Sequence, residues 1–192
     1  MTVTRLTPAD YVTTQWSGGT TTQLAIAPAG AVYAGRDFLW RVSSATVENA
    51  ESDFTPLPAY ERLISTLEGT IELSHNGGER LTLAPYAVHR FDGAAATHSW
   101  GRCRDFNLML RKGSCTGALR GERLAAGGER TLRAAGGMTL LYCGAGEVTV
   151  SAGGESAALA AGESALLDGF TGSVTLRSAA GAQLMLAEAR AL

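Results

Sequence analysis

Residues 68–93 read EGTIELSHNGGERLTLAPYAVHRFDG, and residues 145–169 read AGEVTVSAGGESAALAAGESALLDG. Gly69 aligns with Gly146, and Ile71 and Leu73 align with Val148 and Val150. After a single slip, Gly77-Gly78-Glu79 falls on Gly153-Gly154-Glu155, Leu83-Ala84 on Leu159-Ala160, and Asp92-Gly93 on Asp168-Gly169. Both segments run strand, glycine turn, strand, Asp-Gly turn. An order that recurs in this way marks an internal repeat of one supersecondary unit.

The alternation that makes strands continues on both sides of these segments. Asn76-Gly77 between two alternating runs is the strongest short hairpin signal. WRVSSATV, from Trp40 to Val47, sets Trp40, Val42, Ser44 and Thr46 against Arg41, Ser43, Ala45 and Val47. In YERLISTLEG, Arg62, Ile64 and Thr66 share one face; in RDFNLML, Asp105, Asn107 and Met109 do so. Such two-residue periodicity predicts half-buried strands. No segment reads as a long helix. Residues 113–137, rich in glycine, alanine and charge, read as a connection with one or two short strands. The predicted fold is all-β: two small antiparallel β-barrels of jelly-roll type, packed as a pair so that few strand edges stay open. Residues 1–112 make the first barrel and residues 113–192 the second.

Composition narrows the function. The chain has 192 residues and a formal net charge of -2, which gives no basic footprint for nucleic acid. No apolar run approaches the ~18 residues of a membrane span. No secretory signal is read at the N-terminus, so the location expected is cytoplasmic. Cys103, Cys115 and Cys143 form no ligand motif, and their odd number argues for free thiols over a disulfide framework.

The stretch QWSGGTTTQLAI, from Gln15 to Ile26, lacks the lysine of a phosphate loop and the third glycine of a dinucleotide loop. Its β-branched threonines favour a strand. It is read either as a plain strand entry or as one wall of a ligand site.

Several motifs then fall in order. Trp16-Ser17-Gly18-Gly19-Thr20-Thr21-Thr22, Trp40-Arg41-Val42-Ser43, Phe54 with Pro56, Glu61-Arg62, Thr66-Leu67-Glu68-Gly69 and Asp105-Phe106-Asn107-Leu108-Met109 together resemble the HutD/Ves family. The resemblance covers roughly residues 10 to 112. It implies a bicupin fold and a cytoplasmic bacterial protein. For HutD members it implies a link to histidine utilisation and to formylglutamate; Ves members are tied to stress responses. The family usually has Asn where this chain has Ser17, a hydroxyl with one donor in place of an amide with two.

Metal comes first among the chemistries, since many cupins hold one. His75, His89 and His98 lack the spacing that one strand face requires, and the second half has no histidine. No metal and no other cofactor is expected. Ser43, Ser44 and the threonines near Thr21 have no adjacent histidine base, and no nucleophile elbow occurs. Glu61 and Asp105 could meet across a barrel, but nothing in the spacing shows it.

What remains is recognition of a polar small molecule. The expected ligand-binding residues are Trp16, Gly18, Gly19, Thr20, Thr22, Arg41, Ser43, Arg62, Asp105 and Asn107. An arginine would fork onto a ligand carboxylate, with Asp or Asn orienting it, and the glycines would let backbone N–H groups approach. An internal or surface Arg–Asp pair is the competing structural explanation. The function expected is a non-enzymatic small-molecule binder that senses or governs flux of an amino-acid-derived acid such as formylglutamate. Two alternatives stand beside it: a metal-independent isomerase or hydrolase acting on a small polar acid, and a structural or partner-binding bicupin. The partner expected is a small carboxylate-containing metabolite, not nucleic acid or membrane, and a homodimer is compatible with this reading.

Overall fold

A computed structural model describes residues 3–192. Among the described residues there is no α-helix; short 3-10 turns at Pro8–Asp10 and Tyr33–Gly35 interrupt a succession of strands. These begin with β1 (Thr4–Leu6), β2 (Val12–Trp16), β3 (Gly19–Ala27), β4 (Trp40–Val47), β5 (Glu51–Asp53) and β6 (Tyr60–Glu68). Next come β7 (Ile71–His75), β8 (Leu81–Leu83), β9 (His89–Asp92), β10 (Thr97–Trp100) and β11 (Cys103–Arg111). The chain continues with β12 (Cys115–Leu124), β13 (Gly128–Ala135), β14 (Met138–Ala152), β15 (Glu155–Ala160), β16 (Ser164–Asp168), β17 (Thr171–Ser178) and β18 (Ala182–Ala191). No helix among the described residues is long and apolar enough to cross a membrane.

Two compact units result. One is Tyr11–Thr116 with Ala191–Leu192, and the other is Gly117–Arg190 with the N-terminal segment through Asp10. The N-terminal segment therefore joins the second unit, not the first as the sequence suggests. The cause is local pairing: β1 runs antiparallel to β16, with Thr4 opposite Leu166.

In the first unit, a sheet of order β2-β3-β4-β11-β6-β9 accompanies one of order β5-β10-β7-β8. Ile64 and Phe91 of the larger sheet close a core with Ile71, Leu73 and Leu83 of the smaller. Each such side chain stabilises the unit by about 1.5–3 kcal/mol through removal from water. The β7–β8 hairpin turns at Asn76 and Gly77, whose φ values of 53° and 71° are those a type I′ turn demands.

The second unit repeats the pairing scheme. In the first unit β6 pairs with β9 and β11, while β7 pairs with β8 and β10. In the second, β14 alone does both: its first half pairs with β16 and β18, its second half with β15 and β17. Gly69 and Gly146 mark the equivalent point, each with φ +79°. A Cβ would stand 2.5 Å from the Arg102 carbonyl oxygen at Gly69 and 2.2 Å from that of Gly181 at Gly146. The sequence repeat is thus a repeat of hydrogen-bond pairing, and both copies need glycine at the same bend.

Two sequence expectations are corrected here. The sheets are open ladders, not closed barrels: in the first unit they end at edge strands β2 and β9, and at β5 and β8. The shared side-chain core, and not ladder closure, joins the two sheets of that unit. Residues 113–137 are not a connection with short strands but contribute β12 and β13, and β13 pairs with β17 from Gly128 opposite Ser178 to Ala135 opposite Thr171. Most β13 side chains are exposed or half-exposed, so the strand lacks the apolar alternation that reveals strands in sequence.

Candidate functional site

Three neighbouring strands of the first unit bring polar side chains to one face. Asn107 of β11 lies opposite Ser43 of β4 and Ile64 of β6, and Met109 lies opposite Arg41 and Arg62. Residues opposite each other across a ladder point to the same side. Arg41, Ser43, Arg62, Asp105 and Asn107 therefore share a face, over which Tyr33 and the Phe54–Thr55 segment complete a cavity of about 360 Å³.

The two arginines are held without a counterion. Arg41 donates from Nε to Gln23 Oε1 at 2.8 Å and from an Nη to Ser43 Oγ at 3.1 Å, with its guanidinium 4.3 Å from the Tyr33 ring centroid. Arg62, only 8% exposed, lies 4.9 Å from the Phe54 ring and 5.2 Å from the Phe91 ring. Its one direct hydrogen bond, to the Thr55 carbonyl, is a long 3.5 Å, and its buried Nε has no protein partner among the described residues. Neither guanidinium forms an ion pair among the described residues; those pairs engage other arginines, such as Arg5 and Arg177. Burial pushes Arg41 down to about 10 and Arg62 below its ordinary value. A guanidinium is not deprotonated in proteins, so both stay cationic.

Asp105 is 6% exposed. Its Oδ1 accepts the Ala45 N–H at 2.7 Å, its main-chain carbonyl accepts the Ser44 hydroxyl at 2.6 Å, and the Asn107 side chain bonds its carboxylate. Burial raises its pKa to about 6 against the opposing effects of those bonds and of Arg62 and Arg41. Asn107 keeps a buried Oδ1 without a protein partner among the described residues. The arrangement presents cationic donors, one amide acceptor and one carboxyl group that titrates near neutrality.

Of the expected residues, Trp16, Arg41, Ser43, Arg62, Asp105 and Asn107 line this cavity, and Gly18, Gly19, Thr20 and Thr22 do not. Both glycines are required by packing. A Cβ at Gly18 would meet the Trp16 ring at 2.2 Å, and one at Gly19, where φ is +146°, would meet the Thr46 carbonyl oxygen at 1.8 Å. Thr20 and Thr22 lie opposite Thr46 and Ser44, on the other face, and Thr22 meets the Thr13 hydroxyl at 2.9 Å. Thr21 and Thr14 line the cavity in their place. Sequence reasoning also missed Tyr33, whose ring accepts Arg41; Phe54 was visible only as part of a motif. Glu61 does not meet Asp105: it pairs with Arg90 at 3.1 Å.

The histidines assemble in an unforeseen way. His75, at the end of β7, sets Nε2 2.8 Å from His89 Nε2 of β9, and its Nδ1 lies 2.8 Å from Thr97 Oγ1. His98 lies in β10, with Nδ1 2.7 Å from Asp53 Oδ1. No group of three or more metal-ligating side chains occurs among the described residues. Cys103, Cys115 and Cys143 are free thiols, and burial pushes Cys103 to about 12 and Cys143 to about 11. Such thiols are poor nucleophiles.

Fold and cavity together define an all-β, cupin-like protein with a polar, cation-lined pocket. The chain belongs to the HutD family, whose family model matches residues 8–186, well beyond the stretch that carries the sequence motifs. Among solved structures, a conserved protein of unknown function, PA5104 from Pseudomonas aeruginosa, is 26% identical with a TM-score of 0.85, covering 97% of this chain and 98% of its own. HutD from Pseudomonas fluorescens is 23% identical with a TM-score of 0.80, covering 99% of each chain. A Cupin 2 conserved barrel domain protein from Leptotrichia buccalis shares the fold at 10% identity, with a TM-score of 0.62 and 97% and 96% coverage. Comparison with curated protein sequences returns no match.

Proposed function

We propose that this protein is a bicupin that binds a small carboxylate-bearing metabolite in the first-unit cavity, as a cytoplasmic binder and not as a catalyst. The observation that carries the reading is the pair of buried guanidiniums without a carboxylate partner, Arg41 and Arg62. A desolvated cation is stable only when it is paired, and a ligand carboxylate supplies the missing charge. The unpartnered Arg62 Nε is a ready donor, and the unpartnered Asn107 Oδ1 calls for an N–H on the ligand. A carboxylate next to an N–H is the chemistry of an amino acid or its N-acyl derivative. Formylglutamate, which the family resemblance implies, has both groups. A cavity of about 360 Å³ is within the size range of small-molecule sites.

Binding without turnover is favoured by what surrounds the pocket. No histidine lines it among the described residues, and the Ser43 hydroxyl accepts from Arg41 in place of facing a base. Calorimetric titration of formylglutamate, glutamate and glutarate tests the proposal. Saturable binding of at least one acid, lost in Arg41→Met or Arg62→Met, is expected. Absence of binding by all three would remove the reading, and stoichiometric consumption of a bound acid would make the protein an enzyme.

A further inference from the structure

We infer that acid binding in this cavity is proton-linked through Asp105: the carboxyl group takes up one proton from solvent as a ligand carboxylate enters, and its O–H then donates to that carboxylate. The inference rests on the cavity being an acid site. It deepens that reading by naming how pH governs occupancy.

Asp105 sits on β11, the strand flanked by β4 with Arg41 and by β6 with Arg62. Both guanidiniums act electrostatically on Asp105 across that shared face, so a ligand carboxylate drawn to them enters the field of Asp105. Asp105 cannot swing away, because the Ala45 N–H holds Oδ1 and the Ser44 hydroxyl holds its main-chain carbonyl. Nor does it form an ion pair with either arginine among the described residues. A carboxylate has about four acceptor positions, and Ala45 and Asn107 occupy only part of them. Two carboxylates sharing a desolvated site do not both stay ionised, and the second anion raises the affinity of the first for a proton. In the free protein burial already brings Asp105 to about 6, so the proton needed is available near neutrality. The balance is one proton moving from solvent to Asp105, with no covalent bond formed or broken.

The other groups that face this position do not supply the proton. Arg41 of β4 and Arg62 of β6 are guanidiniums, which are not deprotonated in proteins, and Cys103, on the same strand, has its thiol held neutral by burial. Asp53 of β5 lines the cavity rim with its side chain 85% exposed, and pairs with His98. His75, which feels Arg62, and His89 are both lowered from 6.5, so they are neutral above that value.

The opposite assignment is an ionised Asp105 that grips a ligand ammonium group, and it has the opposite pH dependence. Glutarate, which has no nitrogen and is fully ionised above about pH 6.5, is the discriminating probe. Calorimetry of the full chain would measure Kd from about pH 6.5 to about pH 8 in buffers of unlike ionisation heat. The expected result is a Kd that weakens about ten- to thirtyfold across that range, with proton uptake approaching one per ligand. Asp105→Asn, which keeps the acceptor for Ala45 and offers a fixed donor, is expected to abolish the pH dependence and to bind at high pH as tightly as wild type does at low pH. A Kd that is flat with no proton exchange, or that tightens as pH rises, overturns the linkage and leaves the acid site intact. Asp105→Asn losing affinity at all pH values does the same. If that variant fails to fold, proton uptake by wild type alone decides. No binding of glutarate, glutamate or formylglutamate to wild type at any pH overturns the acid-site reading and this inference together, whereas binding of the nitrogen-bearing acids without glutarate overturns the inference and leaves the acid site standing.

Discussion

Replacing Arg62 with methionine separates what the residue does for folding from what it does for binding. In the folded protein the guanidinium is 8% exposed, has one long hydrogen bond and leaves Nε unpartnered. Desolvating a charge in this way costs several kcal/mol, offset in part by the ring contacts to Phe54 and Phe91, up to about 2 kcal/mol each in a desolvated site. Methionine keeps an apolar stem of similar reach between those rings and removes the desolvated charge. Arg62→Met is therefore expected to be neutral to about 2 kcal/mol more stable, a rise in Tm of up to about 4–8 °C for a chain of this size. Binding moves the other way. Loss of a charge-assisted bond to a ligand carboxylate costs about 2–4 kcal/mol, or about 30- to 900-fold in Kd. Scanning fluorimetry and calorimetric titration of one preparation would measure both. Arg177→Ala, which removes an exposed partner of Glu129, is the control and should leave Kd within about twofold. An Arg62→Met protein that is destabilised by more than about 2 kcal/mol yet binds acids unchanged would make Arg62 a structural residue and remove it from the binding site.

Three further outcomes follow from the same geometry. Gly19→Ala places a Cβ 1.8 Å from the Thr46 carbonyl oxygen at a φ of +146°, so urea denaturation should show a loss of at least about 2 kcal/mol. Asp105 is raised from 3.8 to about 6, so its favourable contribution is complete below 3.8 and lost as pH rises through about 6. Asp105→Asn should accordingly exceed wild type in stability by roughly 2–3 kcal/mol at about pH 8 and by little at about pH 4, measured by chemical denaturation. His75 and His89 act with the opposite sign: both are lowered from 6.5 by burial, so their contribution is present above 6.5 and lost as pH falls through their folded-state values. His89→Gln should flatten the loss of stability that wild type shows between about pH 6.5 and about pH 5.

Much of the first unit was legible because its strands carry a clear phase. Arg41, Ser43 and Ala45 alternate with apolar or small neighbours, as do Arg62 and Asn107, and the ladder registers then place them on one face. The threonine run failed for the same reason in reverse. Thr20, Thr21 and Thr22 offer identical chemistry to both faces, so nothing in sequence says which face holds the cavity. β13 was missed because an exposed strand rich in arginine and alanine has no apolar period. The contacts that complete the site were hidden differently. Tyr33 reaches Arg41 from a short 3-10 turn, and His75 reaches His89 from a strand that does not pair with β9, and ring contacts of this kind leave no spacing signature.

The most direct test of the acid site is native mass spectrometry of the protein purified from cells under mild conditions, beside the Arg41→Met and Arg62→Met variants. The expected spectrum shows wild type with a non-covalent adduct that is released on activation as a small carboxylic acid, and both variants without it. Wild type without an adduct, and still without one after addition of formylglutamate, glutamate or glutarate at saturating concentration, would contradict the account.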